Sequence, residues 1–387
     1  GRIEYALAGG RINTDAVDNS GGVDCSDHEV NLKIFMQHLL GQGVIAGQDV
    51  RDALLRELTD EVCDAVLADN YGQSLCLSLD QRRCLREVEP HLEHCERLAR
   101  AGLMDRRGEY LPSEKELLAR DPRVFTRPEL AILMAYGKMQ IYQYLLEADL
   151  VASPDVRALY LPSYFPKVLH DRYGEHLFDH PLAAEITATA ITNYLVDRGG
   201  SSLINSLCDR HGLSQVVVTA SWLGFDRVID GETLRQAVHA LDNRMPADRQ
   251  LELLLSLEDT LVAFCDWALA HDLELAPHSS RVASLREQLA AFEKVLGGLL
   301  PEEEWQRCKN VAQAVEEQGM SAELARRFSL LGALRDFLPV VMLNEEAGGE
   351  LYATARAFLD LRRLLGLDEL ARRSEERRVG KECRSRW

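Results

Sequence analysis

Apolar residues recur at helical spacing along most of this chain, with short polar breaks between runs. Ser26 and Glu29 stand at the spacing of a capping box, and Val30, Ile34, Phe35 and Leu39 follow, so a helix is expected from Ser26 to about Leu40. Val50, Leu54, Leu58, Val62 and Val66 form a period-of-four stripe. More helix is expected from Asp80 to about Ala101, with a kink or break at Pro90. Thr126-Arg127-Pro128-Glu129 combines a cap, a first-turn proline and a glutamate three positions on. The helix it opens, Leu130 to about Leu146, is apolar nearly all round and is therefore buried or covered by another chain. Another apolar helix is expected from Ala183 to Val196. Beyond Ser214 a stripe of Leu251, Leu254, Leu255, Leu261, Val262, Cys265 and Ala268 is interrupted at Glu258. Helices over 282–299, 302–318, 322–337 and 349–364 continue it, punctuated by Pro301 and Pro339. The pattern is of helical hairpins packed side by side, without a fixed-period repeat.

The first forty residues differ. A short helix from Arg2 to Ala8 leads through Gly9 and Gly10 to a strand candidate, Arg11 to Thr14, and then to a loop rich in Asp, Asn, Ser and Gly. A helix feeding a strand reads as the last piece of a parallel α/β unit, so the chain is expected to begin inside a longer one. A glycine turn aimed at a helix N-terminus gathers free N–H groups and the positive end of a dipole, which suits a carboxylate or phosphate. The plainer alternative is that Ser26 caps a helix and the glycines turn the chain.

Composition narrows the choices. With 387 residues and 46% hydrophobic content the chain can bury a sizeable core, in more than one domain. A formal charge of -18 argues against nucleic acid or an anionic membrane as partner. Apolar runs stay short of the about 18 residues a membrane span needs, and a soluble, cytoplasmic protein is expected. Nine cysteines without paired spacing fit free thiols in a reducing compartment. Gly41-Gln42-Gly43 with Gly47 mimics a dinucleotide fingerprint but follows a helix, so a helix-turn-helix connection is expected. Cys84, His91, His94 and Cys95 could be taken for a metal site, and His91 and Cys95, four apart, could share a face, yet Cys84 is a poor third ligand and no fourth is evident. Solvated helix surface is expected there, and no metal. Asn193 reads as a satisfied core amide. Residues 374–387 lose the periodicity, turn basic and resemble a translated sequencing-adapter tail; they are set aside.

The wording of residues 9–31, with Gly-Arg-Ile-Asn-Thr-Asp-Ala-Val-Asp-Asn-Ser-Gly-Gly-Val-Asp-Cys-Ser-Asp-His-Glu-Val-Asn from Gly10, resembles the end of the cofactor domain of glutamate dehydrogenases, most closely the large bacterial NAD-specific class. Asp15, Asn19, Gly21, Gly22, Val23, Ser26 and Glu29 also fall in register on the related motif of the compact enzymes; Thr14, Ser20, Asp27, His28 and Val30 depart from it. Thr126-Arg127-Pro128-Glu129, Tyr164-Phe165-Pro166, His180-Pro181-Leu182 and Asn193 with Arg198-Gly199-Gly200 look like further blocks of the large class. The resemblance implies a mainly α fold: a remnant of a Rossmann-type α/β domain in residues 1–40, then a multi-helix C-terminal domain in 41–373. It implies oxidative deamination of L-glutamate to 2-oxoglutarate and ammonium with hydride passing to NAD, in a homo-oligomer. Val23 and Ser26 would touch the substrate, and Asn19, Gly21 and Gly22 the cofactor. Proton-transferring residues would lie upstream of the motif, leaving no catalytic residue in this chain and the chain alone inactive. The alternative is a helical scaffold or oligomerisation module without catalysis of its own.

Overall fold

A computed structural model describes residues 1–367, so the basic stretch 374–387 lies outside the described residues. Among those described, the chain is helical and contains no strand. It forms two compact units, one of residues 1–224 with 274–279, the other of 225–273 with the residues from Ser280. No helix among the described residues is long and apolar enough to cross a membrane.

The first unit opens with α1 (Arg2–Leu7) and α2 (Asp15–Asp18), followed by α3 (Ser20–Gly41), α4 (Gln48–Glu57), α5 (Thr59–Arg86) and α6 (Glu89–Arg100). The expected strand at Arg11–Thr14 is irregular backbone instead. Side chains fix it where a sheet would have: Arg2 donates to the Asn13 carbonyl at 3.0 Å, and the Asn13 amide donates to Asp18 at 2.9 Å. Gly41 to Gly47 is the connection between α3 and α4, as the fingerprint argument expected. Pro90 does interrupt the helix after α5, and it sits in the first turn of α6, where its missing N–H costs nothing.

The core of this part forms around α3. Leu32, Phe35, Met36 and Leu39 share one buried cluster with Leu54, Leu58 and Val62 and with Leu161, Phe165 and Leu169. Fully burying each large side chain contributes about 1.5–3 kcal/mol, and the 3-1-3 spacing of these α3 positions confines them to one face.

Then come α7 (Glu114–Leu118), α8 (Arg127–Glu147), α9 (Pro154–Tyr160), α10 (Lys167–Tyr173), α11 (Ala183–Gly199) and α12 (Leu203–His211). Glu129 accepts the Thr126 N–H at 2.7 Å, the reciprocal half of the expected cap. The same carboxylate is gripped by both arms of Arg120 at 2.7 and 2.8 Å, which pairs a charge that is fully buried. The α8 helix is buried along most of its length, while Met139 remains exposed.

The second unit is entered through α13 (Gln215–Ile229) and built from α14 (Gly231–His239), α15 (Ala247–Ala270), α16 (Ser280–Leu296), α17 (Glu302–Glu316), α18 (Ala322–Leu330), α19 (Phe337–Ala347) and α20 (Leu351–Leu364). Phe225, Phe264, Phe337 and Phe292 form a chain of ring contacts with centroids 5.7–6.0 Å apart. Glu258, which interrupts the α15 stripe, is buried against Arg235 at 2.8 Å, and Arg235 also holds Asp226 at 2.7 Å. The single helix expected over 322–337 is two helices joined by a tight 3₁₀ turn, Ala333–Asp336. Pro339, expected to punctuate the pattern, falls in the first turn of α19.

Candidate functional site

The candidate site residues fall at the start of α3, which begins at Ser20, six residues earlier than expected. Ser26 is therefore no cap: it lies in the second turn and its hydroxyl donates to the Gly22 carbonyl at 3.3 Å. Glu29 does not reach back either; it pairs with Lys33 one turn on. The helix can start across two glycines because its first turn is tied from α5, where Asn70 donates to the Ser20 hydroxyl at 2.8 Å and the Val17 carbonyl at 3.1 Å. Asn19 occupies the cap position with its side chain making no cap bond.

Asn19, Gly22, Val23 and Ser26 are exposed, Val23 by 68%. A side chain at Gly22 would meet nothing within 4 Å, whereas one at Gly21 would meet Val66 of α5 at 3.5 Å. The structure thus brings four of the five onto one open face and turns Gly21 toward α5. Further along α3, Lys33, Gln37 and His38 join Arg51 and Pro181 around an open groove of about 570 Å³. Its cations are matched, Lys33 by Glu29 and Arg51 by Asp52.

The sequence blocks that carried no assignable chemistry prove to be braces behind this face. Arg127 donates through Nε to the Asn13 amide oxygen, through Nη1 to Ser78 at 3.0 Å and Gln81 at 3.1 Å, and through Nη2 to the Ser74 carbonyl at 2.8 Å. It joins α8, α5 and the segment entering α2, and burial pulls its pKa below the ordinary guanidinium value. Tyr164 accepts a hydrogen bond from Asn31 of α3 at 2.8 Å, and burial pushes its phenol up to about 12. The Leu182 N–H donates to His180 Nδ1 at 2.9 Å, which leaves His180 Nε2 to donate to the Asn31 carbonyl at 3.0 Å. Asn193, half-buried, accepts from Lys138 at 2.9 Å; its satisfied partner is thus a side chain.

Gly200 adopts φ +89°, and a side chain there would run into Asp80 at 2.3 Å. Asp80 accepts from the Ser201 N–H at 3.1 Å and hydroxyl at 2.8 Å, pairs with Arg83 at 2.9 Å, and faces His91 at 3.7 Å. Burial alone would raise this carboxyl; His91, Arg83 and Ser201 together hold it below the usual carboxylate range.

The expectation of solvated surface around Cys84, His91, His94 and Cys95 is corrected by the structure, which buries all four. Polar residues on an amphipathic helix were read as facing water, but here all four are interior, and His94 meets a polar partner on a neighbouring helix. Asn205 donates to His94 Nδ1 at 2.8 Å and to Gln140 at 2.9 Å, while Gln215 donates to the Asn205 oxygen at 2.9 Å. Burial lowers His94 to about 4 and raises the thiols of Cys84 and Cys95 to about 12 and about 11.

On the side of α3 facing α5, Asp24, His28 and Asp69 bring one ligand atom each to within 4.8 Å of one another. His28 is 3% exposed and stacks on Tyr164 with centroids 4.5 Å apart. Burial, then the charge of Asp69, push the Asp24 carboxyl up to about 6 against the pull of His28. Extending the α3 stripe back one turn from Leu32 lands on His28, so its burial was open to sequence reasoning; Asp69 was not.

Residues 123–385 match the family model described as glutamate dehydrogenase, C-terminal, and residues 1–80 match that of the bacterial NAD-glutamate dehydrogenase catalytic domain. The chain belongs to the glutamate dehydrogenase family. Relatives named NAD-specific glutamate dehydrogenase include those of Halomonas elongata, 30% identical over 363 residues, and Pseudomonas aeruginosa, 32% identical over 359. The Mycobacterium tuberculosis relative is 31% identical over 378 residues. The matches cover 93%, 92% and 96% of this chain but 22%, 22% and 23% of those proteins, so the chain spans under a quarter of their length. The catalytic-domain match of this glutamate dehydrogenase chain runs from α1 into α5 and so takes in every candidate site residue.

Proposed function

We propose that this chain supplies one wall of the site at which an NAD-dependent glutamate dehydrogenase oxidises L-glutamate to 2-oxoglutarate and ammonium. In this reading residues 1–40 end the Rossmann-type cofactor domain and the later helices support it. Val23 packs on the substrate methylenes and the Ser26 hydroxyl donates to its side-chain carboxylate. Asn19 lies beside the nicotinamide, and Gly21 and Gly22 offer it bare backbone at the positive end of the α3 dipole. The chain orients the reactants for hydride transfer.

The observation that carries this reading is the two-sidedness of α3: His28, Leu32, Phe35, Met36 and Leu39 are buried, while Asn19, Gly22, Val23 and Ser26 stand on the open side. The relatives' names and the catalytic-domain match support it. In the intact enzyme containing this chain, Ser26→Ala removes a charge-assisted hydrogen bond worth about 1.5–3 kcal/mol. The Michaelis constant for glutamate is expected to rise accordingly while that for NAD stays nearly constant; equal effects on both would overturn the role of Ser26. The 387-residue chain alone is expected to produce no NADH from glutamate.

A further inference from the structure

The geometry points to a divalent transition-metal site, zinc being the best fit, formed by His28 with the carboxylates of Asp24 and Asp69, which staples α3 to α5 behind the face that carries Val23 and Ser26. Asp24 and His28 are one helical turn apart, so both point from the same side of α3, and Asp69 comes from α5 opposite. His28 Nε2 lies 3.6 Å from Asp69 Oδ2 and 4.0 Å from Asp24 Oδ1. Donor atoms of a tetrahedral zinc site, each about 2.0–2.1 Å from the metal, stand about 3.3 Å apart. Closing the ligands on an ion would shorten these two separations by about 0.3 and 0.7 Å, within a cluster whose three ligand atoms already lie within 4.8 Å of one another.

Two features ask for an occupant. Both ring nitrogens of His28 and one oxygen of Asp24 are buried without a hydrogen-bond partner. The two carboxylates also face each other, and Asp27 on α3 adds to the negative field at Asp24. The side chains of Asp24 and Asp69 keep 22% and 33% exposure, which leaves a route for the ion and room for water as a further ligand. One imidazole with two carboxylates is the borderline donor set that zinc accepts and that magnesium, with its reluctance to leave water for nitrogen, does not.

The test uses the 387-residue chain stripped with chelator and titrated with zinc chloride by calorimetry, with magnesium chloride in parallel. One equivalent of zinc is expected to bind and raise Tm, with magnesium silent. Asp69→Asn and His28→Gln should each weaken zinc binding at least tenfold, and His176→Gln, on a half-buried histidine elsewhere in the same unit, should leave it unchanged. Should those variants misfold, the cobalt-loaded wild type still decides: weak visible bands from nitrogen and oxygen ligands are expected. An intense near-ultraviolet thiolate band would place the ion on a cysteine, such as the exposed Cys25 or Cys63, and overturn the assignment. Absence of binding, or binding indifferent to Asp69→Asn and His28→Gln, would overturn it equally.

Discussion

The two units hold their helices by different means. In the second, the aromatic chain of Phe225, Phe264, Phe337 and Phe292 fills the interior, and the buried triad of Asp226, Arg235 and Glu258 is set among apolar side chains. In the first, polar ties run from helix to helix around α3, α5 and α8: Asp80 with Arg83 and Ser201, His94 with Asn205, Arg127 with Asn13, and Asp197 with Lys138 at 2.7 Å. Apolar packing is indifferent to small sliding motions, whereas a hydrogen bond is lost within a fraction of an ångström. The candidate site thus stands in a unit whose helices are held by hydrogen bonds and ion pairs as well as by the apolar core around α3.

The largest expected effect tests the charge at the heart of the second unit. Arg235→Ala takes the guanidinium away from two buried carboxylates, Asp226 and Glu258, and should cost about 3–5 kcal/mol. Denaturant unfolding followed by hydrogen exchange would show it, with loss of protection concentrated in α14 and α15. An effect of under about 1 kcal/mol would mean that the triad is already hydrated.

Acid should separate the units. Burial holds His94 at about 4, below the 6.5 that it regains on unfolding. The unfolded chain therefore takes up this proton first: the contribution of His94 is whole above pH 6.5 and is lost as pH falls toward 4. Roughly 3 kcal/mol is at stake. The neighbours that face it, Asn205, His91, Asp80 and Arg97, stay in place in this comparison. Hydrogen exchange at pH 7 and pH 4.5 should show α6 and α12 losing protection ahead of α15; simultaneous loss would erase the contrast.

A smaller change sharpens the role of the braces. Arg127→Ala removes the fork that holds Asn13 to α5 and should cost about 1.5–3 kcal/mol, with faster amide exchange over residues 13–20. Unchanged exchange there would reduce Arg127 to a local tie within α8 and α5.

The misreadings share a cause. Gly21 and Gly22 were expected to turn the chain because glycine readily leaves helical backbone, yet Asn70, fifty residues on, fixes the helix start at Ser20. Ser-x-x-Glu at Ser26 was a capping box in spelling alone, while the same signature at Thr126 does open a helix, with Glu129 further held by Arg120. Both stretches obey the same local rule, and what decides between them is which distant side chain is within reach.

The amino-acid sequence by itself determined the helical character of the chain, the turn at Gly41–Gly47, the break near Pro90, the start of α8 and, through its motifs, the family. These follow from local periodicity and capping chemistry, in which each signal is read by residues a few positions away. The tertiary structure alone decided where α3 begins, that His91 and His94 are interior, that Arg127 and His180 brace the candidate face, and that Asp69 meets Asp24 and His28. Apart from His91, which faces Asp80 eleven positions away, these rest on pairings between residues some forty to one hundred and fifty positions apart. Burial and pKa are properties of what surrounds a side chain, and those surroundings exist only once the helices have packed.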